Sequence, residues 1–151
     1  MQESLESKPV HHTDTSVIME SDKTIDGRAC VKYMQKVGYN YYGKFSLPML
    51  GELMMSFFLI KDSEKRHTFL DILTTRKAAN KIDIYTPFDI HEIAKRIREI
   101  DMRLEPTDIE IIACAIEDGA NNLITLDKNL VGNKSIEREF KLRIVHPRDL
   151  L

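Results

Sequence analysis

Four acidic side chains stand where a carboxylate calls for an explanation: Asp14, Glu52, Asp108 and Asp127. Asp14 follows residues 8–13, which read as a strand, and precedes Thr15 and Ser16, hydroxyl residues of the kind that open helices, ahead of Val17, Ile18 and Met19. Glu52 is the single charge in residues 45–60, a run whose composition predicts a helix buried all round. Burying a carboxylate without a partner costs several kcal/mol, so Glu52 needs a proton, a basic neighbour or a cation in a shared acidic pocket, the last being the preferred reading. Asp108 falls in the first turn of an amphipathic helix, and Asp127 just past the short apolar stretch of residues 123–126. Taken singly, such residues have plainer roles: an Asp in a first turn offsets the helix dipole, and an Asp after a strand forms a turn.

If the four converge they cannot sit together unaided. Two like charges about 4 Å apart repel by about 4 kcal/mol at an effective dielectric near 20, so a cation is required. A set of hard oxygens with no cysteine or obvious histidine selects Mg2+ or Mn2+, one or two ions, over zinc or copper. Such an ion lowers the pKa of a bound water and neutralises charge on a phosphodiester during in-line displacement. That is nuclease chemistry, and it needs no nucleophilic side chain.

The elements that must position these acids alternate. Residues 8–13 read as a strand, although His11 and His12 stand where aliphatics are usual; a pair on one strand points to opposite faces, which disfavours a shared metal. Residues 24–37 read as a helix ended by Gly38, residues 39–46 as a short strand, and residues 61–80 as a polar-faced helix with Phe69, Ile72 and Leu73 inward. Residues 81–86 alternate as a strand, and residues 89–102 form an amphipathic helix. Pro106, with Thr107 and Glu110 at capping-box spacing, opens the helix carrying Asp108; Asp118 and Gly119 end it. A short helix over residues 135–140 and a strand over residues 142–145 complete the chain. Strands alternating with helices predict an α/β sandwich with a mostly parallel sheet, whose carboxyl edge would gather strand-end acids.

A chain of 151 residues predicts one domain, residues 8–151, behind a loose polar stretch of residues 1–7. No run is apolar enough to span a membrane and no signal peptide is legible, which makes the cytoplasm the default. Cys30 and Cys114 read as buried free thiols. A net charge of −2 gives no global basic field, so a polyanion must be held by a local patch or by metal.

In this order the motifs resemble those of the PIN-domain nucleases: Asp14, Thr15 and Ser16 after the first strand; Gly51, Glu52 and Leu53 in an apolar helix; Thr107, Asp108 and Ile109 opening a helix; and Leu123 through Asn129 around Asp127. The resemblance covers roughly residues 10–147. It implies a three-layer α/β/α fold and divalent-metal-dependent cleavage of RNA, with Asp14, Glu52, Asp108 and Asp127 as catalytic and metal-binding carboxylates. Thr15 or Ser16 and Thr125 would support them, and Asn129 would stand where many relatives carry a further acid. The size resembles the toxins of VapBC-type toxin–antitoxin pairs, which implies a homodimer and a small antitoxin partner. Phosphate contacts of the RNA substrate would fall to Lys44, Lys61, Arg66 or Lys128.

Other readings use the same residues differently. A ribosomal-RNA maturation nuclease shares the fold, though two cysteines exclude an appended zinc ribbon. A non-catalytic binding module would leave Glu52 a satisfied structural acid. A phosphotransfer domain also sets aspartates at strand ends, but the second acid beside the first strand-end Asp is missing.

Overall fold

The computed structural model describes residues 8–20, 22–64, 66–67, 70–71, 74 and 82–151. In chain order these form β1 (Val10–Thr13), α1 (Thr15–Met19), α2 (Ile25–Lys36), β2 (Tyr42–Ser46), α3 (Leu47–Leu59), β3 (Ile82–Tyr85), α4 (His91–Ile100), α5 (Pro106–Glu117), β4 (Asn122–Ile124), α6 (Lys134–Glu139) and β5 (Arg143–Val145), followed by a 3-10 turn, Pro147–Leu150. The loose stretch expected at residues 1–7, and the inward Phe69, Ile72 and Leu73, lie outside the described residues.

The five strands form one parallel sheet in the order β3-β2-β1-β4-β5. Strand order reverses between β1 and β4: the chain steps outward through β2 and β3, then returns to the other side of β1. Connections leaving β1 and β4 therefore part in opposite directions, and a crevice opens beyond their carboxyl ends. Successive strand residues face opposite ways, and β1 shows what covers each face. His11 meets Tyr33 of α2 and His12 meets Asp118 at the end of α5, so helices cover both sides in an α/β/α sandwich.

The core runs through β4 and its neighbours: Leu123, Ile124 and Ile144 are sealed against Ile111 and Ile112 of α5 and Met49 and Leu53 of α3. Both cysteines are free and buried, as expected, and burial pushes each thiol up to about 12, which keeps them unreactive. The two histidines are buried side chains held by hydrogen bonds. His11 Nδ1 lies 2.6 Å from the Tyr33 hydroxyl and Nε2 3.1 Å from Asn122 Nδ2, with the ring stacked on Tyr41 at 4.1 Å. His12 Nε2 lies 2.8 Å from Asp118 Oδ2.

Two local expectations fail. The helix expected to be apolar all round buries only Met49 and Leu53 fully; Leu47, Met54, Met55, Phe58 and Leu59 are exposed among the described residues. Composition says that a surface is apolar, not that anything covers it. The capping box at Thr107 and Glu110 is also absent, because α5 starts earlier. Pro106 takes its first turn and Glu105 is the N-cap, without a side-chain cap. Proline's fixed φ and missing N–H suit that first position, and this outweighs the Thr-x-x-Glu spacing. At the other end Gly119, at φ +70°, closes α5 with the Ala120 N–H on the Ala115 carbonyl at 3.0 Å.

Candidate active site

The crevice is built outward from Asp14. Its backbone N–H donates to the Ile124 carbonyl at 2.8 Å, extending the β1–β4 pairing by one residue, and the side chain is 5% exposed. Asp14 occupies the N-cap position of α1 but makes no side-chain cap. Its Oδ2 instead accepts two hydroxyl hydrogens, from Ser16 at 2.8 Å and Thr125 at 2.7 Å. Each hydroxyl is held in turn by a backbone donor: Ser16 Oγ accepts the Leu126 N–H at 3.0 Å, and Thr125 Oγ1 accepts the Asp127 N–H at 3.1 Å. Asp127 closes its own turn by accepting the Asn129 N–H at 2.8 Å. The residues after β1 and after β4 are thus stitched together by two hydroxyl groups, which fixes Asp14 and the backbone of Asp127 relative to each other.

Glu52 comes from α3 and Asp108 from the first turn of α5, both half-buried. Glu52 lines an open groove with Pro48, Gly51 and Met55, facing Thr107 and Glu110 of α5. Asp108 reports on the whole assembly. Its carboxyl is raised from 3.8 to about 6, first by burial and then by the negative charges of Asp14, Asp127, Glu52 and Glu105. Acids far apart in the chain therefore share one electrostatic neighbourhood, and no cation among the described residues offsets it.

Carboxylates that crowd one another call for a counter-ion, and the donor set decides which kind. Among the described residues no three His, Cys, Asp or Glu side chains close on a single point. The donor chemistry fits a hard ion nonetheless. Mg2+ keeps most of its waters and takes one or two carboxylates directly, and the repulsion that raises Asp108 is what such an ion would relieve. Glu52 and Glu110 line an open groove, not a closed cage.

The supporting residues divide. Ser16 and Thr125 bind Asp14 directly, whereas Thr15 is buried with its hydroxyl unpartnered among the described residues, and Asn129 is exposed, its backbone serving Asp127. Of the basic residues, exposed Lys128 adjoins Asp127. Lys44 is engaged elsewhere: midway along β2 it pairs with Asp118 at 2.9 Å, beside His12 and over the ring of Tyr85. Lys61 and Arg66 are exposed beyond the last turn of α3, roughly 10 Å of helix or more from Glu52. Two further acids join this neighbourhood, Glu105 among the charges that raise Asp108 and Glu110 on the groove. The first was detectable, since the residue before a proline at a helix start is its N-cap.

No family model matches the chain, and no curated protein matches it in sequence. Its fold is nevertheless shared with chains of three solved structures. VapBC2 from Rickettsia felis, bound to a DNA fragment from its promoter, aligns at 17% identity and a TM-score of 0.65 over 91% of this chain and 98% of that one. FitAB bound to the IR36 DNA fragment aligns at 16% and 0.64, over 91% and 95%. VapBC-5 from Mycobacterium tuberculosis, a member of the VapBC family of toxin–antitoxin systems, aligns at 15% and 0.63, over 91% and 98%.

Proposed function

We propose that this chain is a divalent-metal-dependent endoribonuclease of the PIN-domain type, acting as the toxin of a toxin–antitoxin pair. The observation that supports this reading is the hydroxyl network that joins Asp14 to the turn bearing Asp127 at the strand-order reversal, with Asp108 close enough to its acidic neighbours for its carboxyl to be raised. Magnesium or manganese held by Asp14, Glu52, Asp108 and Asp127 would supply an activated water and a counter-charge for the scissile phosphodiester. Ser16 and Thr125 commit Oδ2 of Asp14 to their hydroxyls, which leaves Oδ1 as the oxygen of that carboxylate to offer an ion, and Glu52 would add an acid from α3.

Purified protein with Mg2+ or Mn2+ should cut single-stranded RNA, and Asp14→Asn should lower the rate at least about a hundredfold, the loss of several kcal/mol of barrier stabilisation, without unfolding. Full activity in that variant would refute the assignment.

The partners follow from the same reading. An exposed apolar surface on α3, Met54, Met55 and Phe58, borders the acidic groove through Met55, and suits a protein partner such as an antitoxin or a second copy in a homodimer. Co-expression with the gene next to it should relieve growth arrest if that gene encodes the antitoxin. The cytoplasm is the setting that goes with this role, and no described helix is long and apolar enough to cross a membrane. A non-catalytic module is the second reading, favoured by the lack of any three closely grouped ligands among the described residues. It requires that metal leave both stability and RNA unchanged.

A further inference from the structure

The loop between α4 and α5 holds a cation that neither the acid cluster nor the motifs account for. Asp101, buried at 8% exposure, accepts the backbone N–H of Arg103 at 3.1 Å and its Nε at 3.0 Å on Oδ1, and Nη2 at 3.0 Å on Oδ2. Asn133 Nδ2 donates to the same Oδ2 at 3.2 Å from the start of α6. The fork is held by its inner edge while the Arg103 side chain remains 83% exposed. A guanidinium has five N–H donors, and two are taken here, so its outer edge is presented to solvent with the side chain already ordered.

Its place in the fold gives that edge a purpose. Arg103 stands two residues before Glu105 and five before Asp108, on the loop that enters α5 at the acidic crevice. A polyanion approaching five carboxylates needs positive charge on the rim, and a fixed fork matches a phosphate in two bonds. Lys44 is spent on Asp118, Lys61 and Arg66 lie past the far end of α3, and Lys128, exposed beside Asp127, offers a point charge where Arg103 offers a fork.

We propose that Arg103, oriented by Asp101, is a contact for a backbone phosphate of the RNA strand entering the site; this rests on the ribonuclease reading above. Asp101 is a positioning residue, and its link to Asn133 ties the loop carrying Arg103 to the segment that follows Asp127.

The test uses a short fluorescein-labelled single-stranded RNA, bound by the full chain in EDTA so that nothing is cut, with affinity followed across a salt series. Arg103→Gln should weaken binding several-fold at moderate salt and reduce the slope of log affinity against log salt by about 0.7, the share of one phosphate contact on a single strand. Arg103→Lys should keep the slope, since the charge remains, and recover part of the affinity. Asp101→Asn should likewise keep the slope and lose affinity, because the cation stays but its aim is lost. Arg98→Gln, an exposed α4 arginine, should change the slope less than Arg103→Gln does. An unchanged slope in a folded Arg103→Gln protein, or an equal drop in Arg98→Gln, overturns the proposal. If the wild type cuts RNA with metal and Arg103→Gln binds as the wild type does, only Arg103 is refuted; if the wild type neither binds nor cuts RNA, the ribonuclease reading falls and takes this with it.

Discussion

Thr125 donates its hydroxyl hydrogen to Asp14 across 111 positions of sequence, at 2.7 Å, and the same oxygen accepts the backbone N–H of Asp127. One buried side chain therefore orients one acid and fixes the backbone of another. Thr125→Val keeps the shape and removes both bonds, leaving a buried carboxylate oxygen and a backbone donor short of a partner. We expect a loss of about 1–3 kcal/mol in urea unfolding together with a fall in RNA cleavage larger than Thr125→Ser produces. Equal activity in the Val and Ser variants would show that the hydroxyl orients nothing.

Asp108 predicts a stability change of unusual sign. Unfolded, its carboxyl releases a proton near 3.8; folded, near 6. Between those values the folded chain holds more protons, so stability falls as pH rises through the window and stays lower above it. In EDTA, Asp108→Asn should be more stable than the wild type at pH 7, by on the order of 1 kcal/mol once solvent screening of a half-buried group is allowed for. The gain should vanish below pH 4. Denaturant midpoints at several pH values decide the matter, and a destabilised Asn variant at pH 7 would contradict it.

His11 pulls the other way over much of the same range. Burial lowers its pKa from 6.5 to about 4, so the unfolded chain takes up the proton first as pH falls. Stability from the neutral ring is complete above pH 6.5 and is lost toward pH 4, by up to about 2 kcal/mol at pH 5. His11→Gln, which can still hydrogen-bond but does not titrate, should flatten that acid limb. Comparing it with Asp108→Asn separates two slopes of opposite sign in one protein.

Metal should act as a ligand of the native state. At about 100 times its dissociation constant Mg2+ or Mn2+ adds about 2.7 kcal/mol, roughly 5–10 °C in melting temperature for a chain of this size. Asp14→Asn and Glu52→Gln should lose most of that shift, while Asp83→Asn, an exposed β3 carboxylate, should keep it. The same shift in all four proteins would place the metal elsewhere.

The alternation of strands and helices and the strand-end acids were legible because each rests on local rules: periodicity, turn residues and the pleat. What was hidden depends on partners remote in sequence. Lys44 reads as a free cation until Asp118, 74 positions on, is found against it. His11 and His12 look out of place in a buried strand, yet Tyr33, Asn122 and Asp118 supply their hydrogen bonds. The apolar content of α3 was plain, but which side faces the sheet is decided by where β2 ends and α5 passes. Arg103 carries no signal in sequence, because nothing there says that Asp101, two residues before it, is buried.

The stitching of Asp14 to Thr125 also sets a schedule for synthesis. A nascent chain that has emerged through α5 already carries Asp14, Glu52 and Asp108, but the hydroxyl and the last acid come from β4 and the turn after it. On the proposed function, an enzyme that destroys RNA stays inert beside its own message and ribosome until β4 and the turn bearing Asp127 have emerged, and translation itself times its arming.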